Sequence, residues 1–259
     1  MLLAIDCGNT HICMGLFDQD KLLRSWRVST DKNKTEDEYL VTLSLLMEEY
    51  GYSLHDVTGL ILGSVVPSIN IILYKLVDKY LKCPALVVNS STPCGLEVRL
   101  DNPDELGADR IINAVAGHAK YPGNLIIVDF GTATTFDCVS ADGAYLGGAI
   151  CPGVEISQQA LFSRAAKLAN IELKRPPAVI GTNTADSLRS GLLWGYGGQV
   201  DGIVRRMKEE FDGPVTVIAT GGLATFIRGF TETIDDVASQ LTLDGLRMIW
   251  DLNKDSIKC

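Results

Sequence analysis

The sequence predicts two similar α/β lobes arranged one after the other along the chain. Three observations support this. The stretches LLAIDCGNT (2–10) and IIVDFGTATT (126–135) are each an apolar strand running straight into Asp-x-Gly and hydroxyl side chains. Each is followed by strand-like segments separated by turn residues, and then by the order helix, strand, helix. Finally, GLILGSVVPS (59–68) and VTVIATGGLA (215–224) hold matching places, each a strand that runs into small residues and a helix start.

The elements follow in chain order. Behind LLAIDCGNT, the segment HICMGLF, the turn-rich DQDK and LLRSWRVST predict a three-stranded meander. Thr35-Glu36-Asp37-Glu38 has capping-box spacing. Tyr39, Leu40, Leu43, Leu46 and Met47 then share one helical face, which Gly51 ends. GLILGSVVPS leads into a second helix at about 69–82, and ALVVNSS (85–91) is another strand. A loop with Pro93, Gly95, Pro103 and Gly107 precedes the helix ADRIINAVAGHAKY, which Pro122-Gly123 closes. The second lobe opens at Leu125 with IIVDFGTATT, FDCVS, the turn Ala141-Asp142-Gly143 and AYLGGAICPG. Helices at about 153–168 and 184–210, the strand of VTVIATGGLA and a last helix from near Thr242 complete it. No flexible linker separates the halves. The boundary falls in a helix near 110–125, which gives domains 1–115 and 116–259 joined by a hinge.

At 259 residues, 46% apolar and 21% charged, the chain has the composition of an ordinary globular protein and needs no disulfide staples. A net charge of −9 argues against a general nucleic-acid binder. It leaves room for an anionic ligand, because a nest of backbone N–H groups holds phosphate on an acidic protein. Seven dispersed cysteines with no C-x-x-C pair indicate neither a zinc site nor a disulfide framework, and fit reduced thiols in the cytoplasm. No basic stretch precedes an apolar signal region, and no apolar run is long enough to span a membrane. The expectation is a soluble cytoplasmic protein.

The duplicated D-x-G element has a physical rationale. Glycine just past a strand lets backbone approach a phosphate, whose oxygens successive N–H groups and threonine hydroxyls can ligate. An aspartate beside such a nest repels phosphate unless a cation lies between, so Asp6 and Asp129 predict Mg²⁺ or another metal. Either copy alone is as well explained by an Asx turn; the pair argues for a ligand-gripping element. Gly221-Gly222, in ATGGLA, stands at a strand-to-helix turn where backbone can approach a nucleotide, although alone such a pair is more often a tight turn. In GADR (107–110), Asp109 and Arg110 begin a helix, where a capping carboxylate and a surface arginine are the simpler reading of the residues. In NTADSLRSG, Thr184 is offered as the next helix's N-cap, with Arg189 on its surface. His11, His55 and His118 are isolated and read as structural or solvent-facing. P-loops, nucleophile elbows and G-x-G-x-x-G turns are absent.

Taken together, DCGNT (6–10), NPDELGADR (102–110), DFGTATT (129–135), GGAICPG (147–153), NTADSLRSG (183–191) and ATGGLA (219–224) resemble the actin-like superfamily of sugar kinases, heat-shock chaperones and actin. Within it the chain is most similar, over its whole length, to the type III pantothenate kinases. The resemblance implies duplicated actin-like (ribonuclease H-like) domains, each a mixed five-stranded sheet with flanking helices. It implies ATP-dependent phosphorylation of pantothenate, the first step of coenzyme A synthesis.

The same resemblance assigns site residues. Asp6, Cys7, Gly8, Asn9, Thr10, His11, Ile12 and Cys13 would hold ATP phosphates, with Asp6 serving Mg²⁺ directly or through water. Thr132 would meet the phosphates from the second lobe, and Gly221 and Gly222 the nucleotide. Asp129 would hold an activating monovalent cation, K⁺ or NH₄⁺. Gly107, Ala108, Asp109 and Arg110 would bind pantothenate, with Asp109 as the catalytic base, and Thr184 would touch the substrate near a homodimer interface. One departure is visible: the family usually has a tyrosine where this chain has Leu100.

Phosphoryl transfer through a loose transition state depends on positioning and charge neutralisation. A base that takes its proton late needs no large pKa elevation. Two other readings remain open on the residues alone. One is an actin-like nucleotide-binding regulator, such as a transcriptional accessory protein, which has no need of GADR. The other is a kinase acting on another small alcohol or sugar, or an acetate-type kinase.

Overall fold

The computed structural model describes residues 1–164 and 171–257. Contacts divide the chain into two compact units, residues 1–96, 101–116 and 241–259, and residues 97–100 and 117–240.

The first unit opens with β1 (Leu2–Cys7), β2 (His11–Asp18) and β3 (Lys21–Ser29), the expected meander, turning between β2 and β3 at Gln19-Asp20. Helix α1 (Glu36–Glu48) begins on the expected capping box: the Thr35 N–H donates to the Glu38 carboxylate at 2.8 Å and the Glu38 N–H returns to Thr35 Oγ1. Then come β4 (Gly59–Ser64), α2 (Pro67–Leu76) and β5 (Ala85–Val87). Proline suits the first turn of α2 because its missing N–H has no partner there in any case. The helix expected to reach 82 changes at Val77 to a wider π turn that ends on Lys82, in the left-handed region at φ 48°. The strand order β3-β2-β1-β4-β5 is mixed: the meander pairs are antiparallel, and β4 runs parallel to β1 and β5. Central β1 is covered on both faces, which is why LLAI carries no polar alternation. One face, with Leu3, Ile5 and Cys7, packs into a core with Leu43 and Met47 of α1 and Ile69 and Leu73 of α2.

Helix α3 (Ala108–Lys120) carries the chain across the boundary between the units. In the second unit β6 (Glu97–Val98) lies beside a second meander, β7 (Asn124–Phe130), β8 (Ala133–Val139) and β9 (Ala144–Pro152). Helix α4 (Val154–Arg164) follows; the end expected for it near 168 lies outside the described residues. Then come α5 (Thr184–Lys208), β10 (Val215–Thr220), the short α6 (Ala224–Ile227) and β11 (Asp236–Val237). The order β11-β10-β7-β8-β9-β6 repeats the five-stranded pattern of the first sheet and adds a sixth strand, β6, parallel to β9. Ile126, Val128 and Phe130 of β7 pack with Leu193, Tyr196 and Val200 of α5.

The last helix, α7 (Leu241–Asn253), departs from the expected division of the chain at 115/116. It belongs to the first unit. Thr242 Oγ1 donates to Asn113 Oδ1 of α3 at 2.8 Å, and Asn253 Nδ2 donates to the Pro93 carbonyl at 2.8 Å. Leu246 of α7 and Ile112 of α3 both close on Gly63 of β4, so these two helices form the layer opposite α1 and α2.

Candidate active site

The first unit contributes two loops. Asp6 is the penultimate residue of β1, half-buried, opposite Cys13 on β2 and Gly63 on β4. The loop 8–10 is tied to its own meander. The Gly8 N–H donates to the His11 carbonyl at 3.0 Å, Thr30 Oγ1 donates to the Gly8 carbonyl at 2.6 Å, and the Thr30 N–H donates to the Thr10 carbonyl at 3.0 Å. Asn9 and Thr10 are exposed at its tip. Two of the predicted contact residues turn inward: Cys7 and Ile12 are buried in the core, so only their backbone is available to a ligand. Burial pushes the Cys7 thiol up to about 11, against the Ser64 hydrogen bond that lowers it, so it is an inert packing residue. His11 Nδ1 lies 2.8 Å from the Arg27 guanidinium, at the start of β2.

The GADR turn starts α3. The Gly107 carbonyl accepts the N–H groups of Arg110 and Ile111 at 3.1 and 3.2 Å, which makes Gly107 the helix cap, and Ala108 is buried. Asp109 Oδ1 accepts the Arg110 N–H at 2.9 Å. A side chain at 107 would meet that same oxygen at 2.6 Å, so the glycine leaves room for the Asp109 carboxylate. Burial raises the Asp109 pKa, while the Arg110 N–H and guanidinium act to lower it. Arg110 is half-buried, not the surface residue its position suggested. Ile112, two residues on, lies against Gly63, the strand partner of Asp6, so α3 and the Asp6 strand end belong to one packed corner.

The second unit assembles its own set. Asp129 is the penultimate residue of β7, half-buried, and its strand neighbours are Thr135 on β8 and Thr220 on β10. The Gly131 N–H donates to the Ala133 carbonyl at 3.0 Å, and Thr132 is exposed at the turn. Gly221 sits at φ 90°, and a Cβ there would collide with Asp129 Oδ1 and, at 2.7 Å, with Phe130 backbone. The Gly-Gly pair is therefore more than a tight turn: Gly221 presses on the strand-end carboxylate, with Gly222 exposed beside it. Gly153, whose motif was noted but which was given no role, donates its N–H to the Thr132 carbonyl at 3.1 Å. A Cβ at 153 would overlap that carbonyl and stand 2.7 Å from the Gly131 carbonyl. The signal was a Pro-Gly at a strand end just before a helix.

Thr184 is not the N-cap. Asn183 is, its side chain accepting the Asp186 N–H at 2.9 Å, and Thr184 is the exposed first residue of α5. Arg189 is fixed rather than free on the surface: it pairs with Asp186 at 2.9 Å and donates to the Glu172 carbonyl at 3.1 Å. Leu100 ends the segment beside β9 and lies over Gly147.

Chemically, each unit has a backbone loop on a strand end beside a carboxylate, a combination that suits a phosphorylated ligand with a cation. The first unit adds a half-buried carboxylate beside an arginine at a helix start, which suits a hydroxyl to be deprotonated. Comparison with known proteins fits. The type III pantothenate kinase family model matches residues 2–206. A type III pantothenate kinase from an Exiguobacterium species is 51% identical over 98% of this chain and 100% of its own length. The chain belongs to the type III pantothenate kinase family. Among solved structures, a Campylobacter jejuni protein assigned to the Baf family of transcriptional activators superposes with a TM-score of 0.59 at 20% identity, covering 98% of this chain and 99% of that one. A ROK hexokinase from Thermus thermophilus gives 0.53 at 16% identity, covering 96% and 97%. At such identities these two likenesses show the fold alone, the actin-like fold of sugar kinases. Among the described residues no helix is long and apolar enough to cross a membrane.

Proposed function

We infer that the chain transfers the γ-phosphoryl group of ATP to the primary hydroxyl of pantothenate, giving 4′-phosphopantothenate in coenzyme A biosynthesis. The observation that carries this is half-identity to type III pantothenate kinases over nearly the full chain. The GADR turn, with Gly107 leaving room for a half-buried Asp109 whose pKa burial raises, supports it over the regulator reading, since a nucleotide switch has no use for such a base.

In this reading Asp109 accepts the hydroxyl proton, and Gly107, Ala108 and Arg110 hold pantothenate. The loop from Asp6 to Thr10 and on through His11, Ile12 and Cys13 holds ATP phosphates, with Cys7 and Ile12 contributing backbone only. Thr132, Gly221 and Gly222 meet the nucleotide. Asp6 holds Mg²⁺, directly or through water. Asp129 holds K⁺ or NH₄⁺; its carboxylate and the carbonyls of its turn are the hard oxygen donors such ions take. When bound, these ions neutralise phosphate charge beside the two acids. Thr184 touches substrate close to a homodimer interface. Nucleic acid and membrane are not partners, and the cytoplasm is the compartment, in keeping with dispersed cysteines that show no paired spacing.

The test is a phosphorylation assay on the purified protein with ATP, Mg²⁺ and pantothenate, run in parallel with K⁺ and with Na⁺. Phosphopantothenate forming faster in K⁺ is the expected result. No product in either salt removes the kinase reading and favours the regulator.

A further inference from the structure

One buried hydroxyl stands behind the Gly131-Thr132 loop. Tyr196 lies midway along α5, in the second core with Leu193 and Val200, and is 8% exposed. A ring placed there only to fill space would be served by phenylalanine, because a buried hydroxyl costs free energy unless it is hydrogen-bonded. The Tyr196 hydroxyl is bonded three ways. It lies 2.6 Å from Ser157 Oγ of α4, 2.9 Å from the Pro152 carbonyl and 3.0 Å from the Gly153 carbonyl. The Ser157 N–H also donates to the Gly153 carbonyl, at 3.0 Å. The turn from β9 into α4 is thus fixed from below by the Tyr196 hydroxyl, which Ser157 Oγ orients, and by the Ser157 N–H.

That turn in turn fixes the loop. The Gly153 N–H donates to the Thr132 carbonyl at 3.1 Å, and the Gly153 α-carbon packs so close to the Thr132 and Gly131 carbonyls that no side chain fits. A shift of Pro152-Gly153 therefore carries Gly131-Thr132 with it.

We propose that Tyr196 is a positioning residue for nucleotide binding: with Ser157, it clamps the Pro152-Gly153 turn and through it holds the Gly131-Thr132 loop in the shape that receives ATP phosphate. This rests on the reading above that the loop meets the phosphates. Tyr196 touches no substrate; it acts through Gly153. It makes no contribution to the pantothenate side, which the reading gives to Gly107–Arg110.

Tyr196→Phe keeps the ring and removes only the hydroxyl. Loss of a net buried hydrogen bond translates to a change of roughly threefold to tenfold in an equilibrium constant. The readouts are the dissociation constant for ATP without pantothenate, KM for each substrate, and Tm. Tyr196→Phe should weaken ATP by about threefold to tenfold in both constants and leave KM for pantothenate within about twofold. Ser157→Ala should act in the same direction, and the double variant should fall short of the product of the two, because the two hydroxyls bond each other and the serine acts on the turn through the tyrosine. Thr132→Val serves as the control for the loop. ATP affinity unchanged by Tyr196→Phe but weakened by Thr132→Val overturns the clamp and spares the loop reading. Affinity unchanged in both overturns the loop reading and the clamp with it. Equal weakening of both substrates makes Tyr196 a packing residue and also overturns the proposal. Should Tyr196→Phe fail to fold, Ser157→Ala decides alone by the same split.

Discussion

Replacing Gly107 by alanine tests whether the Asp109 carboxylate must sit where it does. A Cβ at 107 would stand 2.6 Å from Asp109 Oδ1, and ordinary contact begins near 3.4 Å, so the carboxylate must retreat by about 0.8 Å. The retreat strains or breaks its 2.9 Å bond from the Arg110 N–H. Misplacing a reacting group by an ångström costs on the order of 10²-fold in rate, so kcat should fall by roughly 10- to 10²-fold, about 1.4–2.7 kcal/mol of barrier. A second consequence has a definite sign. The Arg110 N–H lowers the Asp109 pKa against the burial that raises it. Losing that bond sends the pKa further up, so the acid limb of kcat/KM should move to higher pH than in the unmodified protein. Stability should change little. The carbonyl of residue 107 still caps α3, and alanine for glycine at an N-cap costs under about 1 kcal/mol, a few degrees in Tm at most. The assay is steady-state ADP release followed across the acid limb, with Tm measured on the same samples. A folded variant with kcat within about twofold of normal and an unmoved limb would refute the argument, and Asp109 would lose the role of base.

Two further outcomes follow from the same structure. Asp109→Asn should keep ATP binding while turnover drops by about 10²–10⁴. Because burial raises the folded-state pKa of Asp109 above its unfolded value, its protonation favours the fold as pH falls through that raised value, and the ionised group costs stability above it. The Asn variant should therefore gain Tm relative to the unmodified protein at neutral pH and lose that gain toward the unfolded carboxylate pKa of about 4; a difference that is flat or grows on acidification would count against a shielded carboxyl. Thr35→Ala removes the reciprocal cap of α1, seen in the Thr35–Glu38 pair, and should cost about 1 kcal/mol of stability without changing KM for either substrate. Thermal melts and kinetics on that variant check both halves of the statement.

How much of this was legible beforehand depended on how local the signal was. The meanders, α1 with its capping box and the strand-end aspartates are written in contiguous residues, and the structure has them where periodicity and turn chemistry put them. The strands β6 and β11 were not read, because each is two residues long and owes its conformation to the neighbour it pairs with rather than to its own pattern. The return of α7 to the first unit was equally hidden. Its apolar face shows in the sequence, but the identity of the surface it covers, Gly63 with Ile112, does not. At the site, Asp109 and Gly221 were readable as motif members. The reason for each glycine was not, since it lies in an atom brought from elsewhere: Asp109 Oδ1 for Gly107, and Asp129 Oδ1 for Gly221.

The two D-x-G loops are related by more than their motif. In each unit the end of the meander's third strand closes the loop between the first two. Thr30, just past β3, does so in the first unit, through its hydroxyl on the Gly8 carbonyl and its N–H on the Thr10 carbonyl. Gly153, just past β9, does so in the second, through its N–H on the Thr132 carbonyl. The chemistry diverged because the continuations differ. After β3 the chain has several residues before α1, and a side chain at position 30 has room. After β9 the helix α4 begins at once, so the closing residue must also cap a helix, and only a glycine fits against the loop it closes. The loops are consequently held by bonds internal to each unit. Each turn is thus shaped before any ligand arrives, which lowers the ordering cost of whatever binds there.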